Sequence, residues 1–211
     1  MRYHVLATDY DGTIALHGKV DNETIEALKR CKTSSRKVIL VTGRELDDLT
    51  TVFPEYELFD LIVAENGALI FDPASRKEIL LEERPPENFI HELRQKHVTP
   101  ISVGKVIVAT WEPNEVAMLQ GIQNAHIEYQ VIFNKGAVMV LPPGINKASG
   151  LVAALDHLKI SVHNAVAVGD AENDQAMFRI AECSAAVSNA LDSIKKEATI
   201  VTQKDYGEGV G

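Results

Sequence analysis

The stretch Val5-Leu6-Ala7-Thr8-Asp9-Tyr10-Asp11-Gly12-Thr13, close to the N-terminus, decides how the rest of the chain reads. Residues 3–8 have the character of a short apolar strand, and two carboxylates follow it one residue apart. A buried carboxylate is costly unless it is paired or bound to a metal. At the C-terminal edge of a parallel strand it opens instead into the crevice where such sheets bind ligands. That placement suits a nucleophile and a second carboxylate sharing one hard cation. It points toward phosphoryl chemistry on an aspartate, with magnesium.

Working outward, the first part of the chain alternates strands and helices. A helix runs from about residue 21 to Cys31, with Asp21 or Asn22 as its N-cap. Residues 37–42 form a strand rich in β-branched side chains, ending at Gly43-Arg44, and a helix over 45–52 is stopped by Pro54. Residues 61–64 form a third strand, ending at Glu65-Asn66-Gly67, and 68–71 read as a hairpin or edge excursion. Near-continuous apolar strands separated by helices predict a parallel sheet covered on both faces.

The pattern changes after Gly67. Arg84-Pro85-Pro86 reads as a linker, 87–97 as a helix, 105–110 as a strand, and 113–124 as a helix with Pro113 in its first turn. Strands at 128–133 and 137–141 flank Asn134-Lys135-Gly136, a hairpin signal. Residues 82–142 therefore read as a small inserted α+β module, left through Pro142-Pro143-Gly144. Alternation resumes with a helix over 147–158, a strand over 165–168, a helix over 174–181, short strands at 184–187 and 199–201, and a helix over 191–196 between them. Residues 1–81 and 143–211 thus form one α/β domain interrupted by a cap. The chain stops at 207–211 where a closing helix is expected, which suggests that the final helix is missing or that the natural chain continues.

Four strand or helix ends carry polar groups suited to phosphoryl transfer. Asp9 is the candidate nucleophile, forming an acyl-phosphate that splits one hard hydrolysis into two easier steps. Asp11 is the candidate general acid/base, first for the leaving alkoxide and then for the attacking water. Gly12 lets the chain turn sharply beside a phosphate. Thr42 and Gly43 offer a hydroxyl and an amide to phosphate oxygens, and Arg44 offers a bidentate fork to a substrate's anionic tail. Lys147 sits at a helix start, where the helix dipole disfavours a cation, so it calls for an anionic partner: Asp9 and a bound phosphate. Asp170 and Asp174, in Gly169-Asp170-Ala171-Glu172-Asn173-Asp174, face one point if a turn opens the helix. With Asp9 and the backbone carbonyl of Asp11 they supply oxygen ligands of the kind magnesium prefers. The metal and Lys147 would stabilise charge on the transferring phosphoryl group and keep Asp9 ionised.

Composition narrows the alternatives. The 211-residue chain is 45% hydrophobic and 24% charged, which is ordinary for a globular protein with one sizeable core. Its formal net charge of -9 argues against a nucleic-acid groove but not against a small anion at a locally positive site. No apolar run approaches the ~20 residues needed to cross a bilayer, and no secretory leader pattern opens the chain. Cys31 and Cys183 lack ligand spacing and read as free thiols of a reducing compartment, the cytoplasm. Seven scattered histidines argue against a zinc site, and no Gly-x-x-x-x-Gly-Lys-Ser/Thr loop is present.

Taken in order, Asp9-Tyr10-Asp11-Gly12-Thr13, Val41-Thr42-Gly43-Arg44, Lys147 and Gly169-Asp170-Ala171-Glu172-Asn173-Asp174 resemble the haloacid dehalogenase-like superfamily. Glu65-Asn66-Gly67-Ala68 and the insertion after it look like the Cof-type branch, with a short cap similar to that of the small-capped phosphoglycolate phosphatases. The resemblance covers essentially the whole chain. It implies a Rossmann-like core with a cap in the C2-type position, Mg2+ and an aspartyl-phosphate intermediate. By position it makes Asp9 the nucleophile, Asp11 the acid/base, and Thr42 and Lys147 phosphate ligands. It also places Asn66 and Asn173 at the phosphate or substrate, and makes Asp170 a metal ligand, with Asp174 ligating directly or through water.

The expected substrate is a small phosphorylated metabolite, phosphoglycolate or a sugar phosphate, handled by a monomer or homodimer. In this architecture the cap selects the ester, and Trp111, Glu112, Asn134, Lys135 and Met139 are its candidate contacts. Lys135, at a basic hairpin tip, suits a carboxylate or second phosphate. A sugar phosphomutase, or a non-catalytic regulatory module of a longer chain, are the alternative readings.

Overall fold

The apolar strands of the core lie side by side as expected. The computed structural model describes residues 3–211. In chain order the first half of the core contains β1 (Val5–Thr8), α1 (Asn22–Thr33), β2 (Lys37–Val41), α2 (Leu46–Val52), β3 (Leu61–Ala64), β4 (Leu69–Asp72) and β5 (Lys77–Leu80). The inserted part contains α3 (Glu87–Gln95), β6 (Ser102–Val103), β7 (Val108–Trp111), α4 (Glu115–Asn124), β8 (Gln130–Asn134) and β9 (Ala137–Leu141). The core then resumes with α5 (Lys147–Leu158), β10 (Ala165–Gly169), α6 (Gln175–Ile180), β11 (Cys183–Ala186), α7 (Asp192–Glu197), β12 (Ile200–Val201) and α8 (Tyr206–Val210).

Eight strands form the core sheet in the order β12, β11, β10, β1, β2, β3, β4, β5. The pairs from β12 to β3 are parallel, and β4 and β5 extend the sheet antiparallel. Alternate residues of each strand point to opposite faces. Ile39, Val41 and Val63 meet Leu151, Ala154 and Leu155 of α5. Val38, Leu40 and Ile62 meet Leu28 of α1 and Leu49 of α2. Both faces being covered explains the unbroken apolar runs. The chain steps from β1 to β2 and β3 in one direction, then returns to β10 on the other side of β1. The C-terminal ends of β1 and β10 therefore flank the topological switch point, where open α/β sheets bind ligands.

The inserted part forms an antiparallel sheet in the order β6, β7, β9, β8. Phe89, Ile90 and Leu93 of α3 and Met118 and Ile122 of α4 cover one face through Val108, Val138 and Val140. On the other face Met139 and Leu141 pack with Ala68 and Ile145, which seats this sheet against the core.

Local signals explain most boundaries. The carboxylate of Asp21 accepts the amide of Thr24 at 2.7 Å and caps α1. Asn146 caps α5 in a reciprocal box with Ser149. Several details differ from the sequence reading, which gave no strand at β5 or β6. The strand expected over 105–110 begins only at Val108, because residues 104–107 form a turn whose amides are taken by a core side chain. Pro113 precedes the N-cap Asn114 rather than opening α4. A short turn over Glu172–Asp174 comes before α6. A closing helix, α8, is present. Its two glycines hid it, since glycine is a poor helix former, yet Gly207 is needed where a Cβ would come 1.9 Å from the hydroxyl of Thr24.

Gly150, inside α5, gives a sharp test of this packing. Alanine is worth about 1 kcal/mol more than glycine in a helix interior. A Cβ here, however, would come 2.6 Å from Cα of Gly67 and from Val63 Cγ1. Overpacking of this kind costs about 1–3 kcal/mol, so Gly150→Ala lowers the urea midpoint of unfolding despite its helix propensity. An unchanged or higher midpoint would contradict the close contact between α5 and the 65–67 loop.

Candidate active site

The exits of β1, β2, β3 and β10 and the first residue of α5 meet at one point. Asp9 leaves β1 with its amide donated to Val168 O of β10 at 2.9 Å. Gly12 follows at φ +88°, where a side chain would be strained and a Cβ would lie 2.3 Å from Asp170 Oδ2. At the exit of β10, Asp174 Oδ2 accepts the amides of Asp170 at 2.9 Å and Ala171 at 3.0 Å. Gly169 leaves no Cβ to obstruct that fold-back, since one would come 2.5 Å from Asp174 Cγ.

Lys147, the first residue of α5, is 1% exposed. Its ammonium donates to Asp9 Oδ1 and Asp174 Oδ1, each at 2.6 Å. These two carboxylates overcome the unfavourable helix dipole, and they raise the lysine's affinity for its proton although burial opposes it. Asp9, Asp170 and Asp174 are all buried, and one oxygen from each lies within 4.8 Å of the others. Burial pushes the Asp9 carboxyl up to about 7, against the pull of Lys147 and with the help of Asp174 and Asp170. Burial likewise raises Asp170, against Lys135. Three clustered carboxylate oxygens are a hard donor set short of positive charge, which fits Mg2+. The cluster is thus positioned to hold a divalent cation.

The hydroxyl of Thr13 lies 3.2 Å from Asp9 Oδ2 and 3.3 Å from Asp170 Oδ1, so its one proton links two of the three carboxylates. Asn189 donates to Gly12 O at 2.7 Å while its Oδ1 accepts the amide of Tyr206, tying the β1 exit to α8. Neither role was read from the sequence. Thr13 stood within the quoted motif, but Asn189 carries no local signal beyond being polar after a strand.

Asp11 stands apart from the cluster. Its half-exposed carboxylate takes the fork of Arg44, Nε to Oδ2 at 2.6 Å and Nη2 to Oδ1 at 2.7 Å. Arg44 also donates to Asp48 at 2.6 Å and lies over the ring of Tyr10. The fork expected to meet a substrate's tail is thus turned onto Asp11 in this state. Thr42 is buried, and its Oγ1 accepts the amide of Arg44 at 3.1 Å. Asn173 donates to Asn66 Oδ1 at 3.1 Å, leaving Asn66 Nδ2 and Asn173 Oδ1 buried without a partner.

A cleft of about 600 Å³ lies between core and cap. Its walls include Asp9, Asp11, Gly43, Arg44 and Asn173 from the core, and Trp111, Asn134, Lys135 and Met139 from the cap. Glu112 is exposed and lies outside that lining. The Lys135 ammonium, from the tip between β8 and β9, pairs with Asp170. Burial opposes its charge, but Asp170 outweighs this and raises it. A wider groove of about 1020 Å³ near Leu16 and Tyr206 holds none of the three clustered carboxylates. Among the described residues, no helix is long and apolar enough to cross a membrane.

The haloacid dehalogenase-like hydrolase family profile matches residues 6–99 and 95–211. The chain is 31% identical over 218 residues to a phosphoglycolate phosphatase of Saccharolobus solfataricus, covering 98% of this chain and 88% of that one. It is 28% identical over 221 residues to a phosphoglycolate phosphatase of Nitrosopumilus maritimus, covering 100% and 94%. In fold it is similar to a Thermoplasma acidophilum protein with a TM-score of 0.81, at 17% identity and covering 100% of this chain and 96% of that one. It is also similar to a haloacid dehalogenase-like hydrolase from Bacteroides thetaiotaomicron with a TM-score of 0.80, at 20% identity and covering 99% and 97%. With its acidic cluster suited to Mg2+-dependent phosphoryl transfer, the chain belongs to the haloacid dehalogenase-like hydrolases.

Proposed function

We propose that this protein hydrolyses 2-phosphoglycolate, or a similarly small phosphomonoester carrying a second anionic group, with residues 82–142 as the cap that selects it. One observation carries the proposal: the cap brings the ammonium of Lys135 into the cleft beside the acidic cluster. A cation there suits a small ester with a carboxylate near its phosphate. The phosphoglycolate phosphatases to which the chain is similar support the same choice.

In this reading Asp9 attacks phosphorus and the ester oxygen leaves, giving a phosphorylated Asp9. Asp11 donates a proton to the departing alkoxide, then takes one from the water that hydrolyses the acyl-phosphate. For that, Asp11 must exchange its bonds to Arg44 for the substrate. Lys147, 2.6 Å from Asp9 Oδ1, lowers the repulsion between an ionised Asp9 and the incoming anion. Thr42, Gly43, Asn66 and Asn173 are assigned to the phosphate oxygens. Asp9, the Asp11 carbonyl, Asp170 and Asp174 are assigned to Mg2+. When bound, Mg2+ supplies positive charge to the transferring phosphoryl group.

Replacing Asp9 with Asn removes the nucleophile and leaves its shape. Turnover is expected to vanish while circular dichroism remains native, and substantial hydrolysis by a clean Asp9→Asn preparation would defeat the assignment. The second-anion reading is checked by comparing 2-phosphoglycolate with ethyl phosphate, which lacks the carboxylate. Wild-type protein is expected to favour 2-phosphoglycolate by about tenfold or more in kcat/KM, the worth of one charge-assisted contact. Lys135→Met is expected to abolish that preference while retaining ethyl phosphate hydrolysis, and an unchanged preference would refute the role of Lys135.

A further inference from the structure

The segment Glu65-Asn66-Gly67, at the exit of β3, adopts three successive positive φ angles of 51°, 55° and 108°. Such conformations cost a non-glycine residue about 1 kcal/mol or more, and they persist only where surrounding contacts impose them. The contacts here are specific. The Glu65 amide donates to Arg44 O at 2.9 Å and the Asn66 amide to Thr42 O at 2.9 Å. Gly67 lies against the N-cap of the helix that begins with Lys147, where a Cβ would come 2.0 Å from Asn146 O.

The Glu65 side chain takes no part in the chemistry assigned above, yet it is 1% exposed. Its carboxylate reaches into the cap. Oε1 accepts the amide of Lys105 at 2.8 Å, and Oε2 accepts those of Val106 at 2.7 Å and Ile107 at 2.9 Å. Three successive amides around one carboxylate form an anion nest built from the cap's own backbone. Gly104 admits it closely, since a Cβ at that position would come 2.7 Å from Oε1. Two other side-chain bonds from cap to core, Ser102 to Glu45 and Lys105 to Glu78, are exposed and so contribute less, while Gln130 to Ile145 O and Lys135 to Asp170 are part-buried.

We infer that Glu65 is a positioning residue: its buried carboxylate locks the cap turn 104–107 to the core and so fixes where the cap wall of the active cleft stands. The turn leads directly into β7, whose Ala109 and Trp111 line the cleft. Glu65 also precedes Asn66, which bonds Asn173 at the cleft floor. One residue therefore registers the cap against the phosphate pocket from outside both chain crossings between the two parts. The kinetic consequence rests on the function proposed above; the structural lock does not.

The test uses amide hydrogen exchange of the whole protein, with wild type, Glu65→Gln and Gly104→Ala compared. The glutamine keeps one acceptor but turns an amide donor toward the nest. The alanine crowds the same contact from the cap side. Both are expected to speed exchange at 105–107 by about tenfold or more, the value of a charge-assisted hydrogen bond. Amides of β1, β2 and β10 should keep their protection. In both variants KM for 2-phosphoglycolate should rise by about tenfold with kcat changed less than about threefold, as when ground-state and transition-state binding are lost together. Unchanged exchange at 105–107 in Glu65→Gln would overturn the lock. So would loss of protection spread equally through the core strands, which would mark Glu65 as merely structural. If the wild type does not hydrolyse 2-phosphoglycolate, the substrate reading fails while the exchange result still decides the role of Glu65.

Discussion

The ammonium of Lys147, held between Asp9 and Asp174, is the interaction on which the rest of the site depends. It joins the start of α5 to the exits of β1 and β10, three segments far apart in sequence. Its stabilising value is not the point. Buried ion pairs barely offset the desolvation of their charges, whereas removing one partner of such a pair costs about 3–5 kcal/mol by stranding the other. The pair acts chiefly as a register: α5 can seat in only one way that leaves no buried charge alone. Close packing of Gly150 on the 65–67 loop supports the same seating.

Charge arithmetic then shapes the chemistry. Of the three clustered carboxylates, Lys147 bonds only Asp9 and Asp174, and burial raises Asp9 toward neutrality rather than leaving it freely ionised. The core thus lacks positive charge where an aspartate must be ionised to attack. Lys135 brings some from the cap, but onto Asp170. Core and cap consequently share one electrostatic problem, and the position of the cap bears directly on the acidity of the centre. That gives a physical reason for a buried lock such as Glu65.

Much of this was legible in the sequence because it is written in local periodicity. The continuous apolar runs at 37–41 and 61–64 announced a sheet covered on both faces, and Asp9 and Asp170 stood where parallel strands open toward a ligand. Lys147 was legible by its oddity, a cation at a helix start. What stayed hidden depends on partners distant in sequence. The partner of Glu65 is a run of backbone amides forty residues away, and amides carry no residue-type signal. The strand expected from residue 105 starts late for the same reason. Arg44 reads as open to substrate because nothing local shows that Asp11, 33 residues away, takes its fork. The helix α8 was missed because its glycines, poor by propensity, answer to a contact with Thr24.

The most direct test of the central cluster is thermal unfolding with increasing Mg2+ near neutral pH, in wild type and in Asp170→Asn. A cation bound only by the folded state stabilises it by an amount that grows with the logarithm of its concentration, about 2.7 kcal/mol at a hundred times the dissociation constant. The expected result is a melting temperature that climbs steadily with Mg2+ in wild type and much less in Asp170→Asn. A wild-type melting temperature indifferent to Mg2+, or one that rises equally in both proteins, would contradict a cation site built from these three carboxylates.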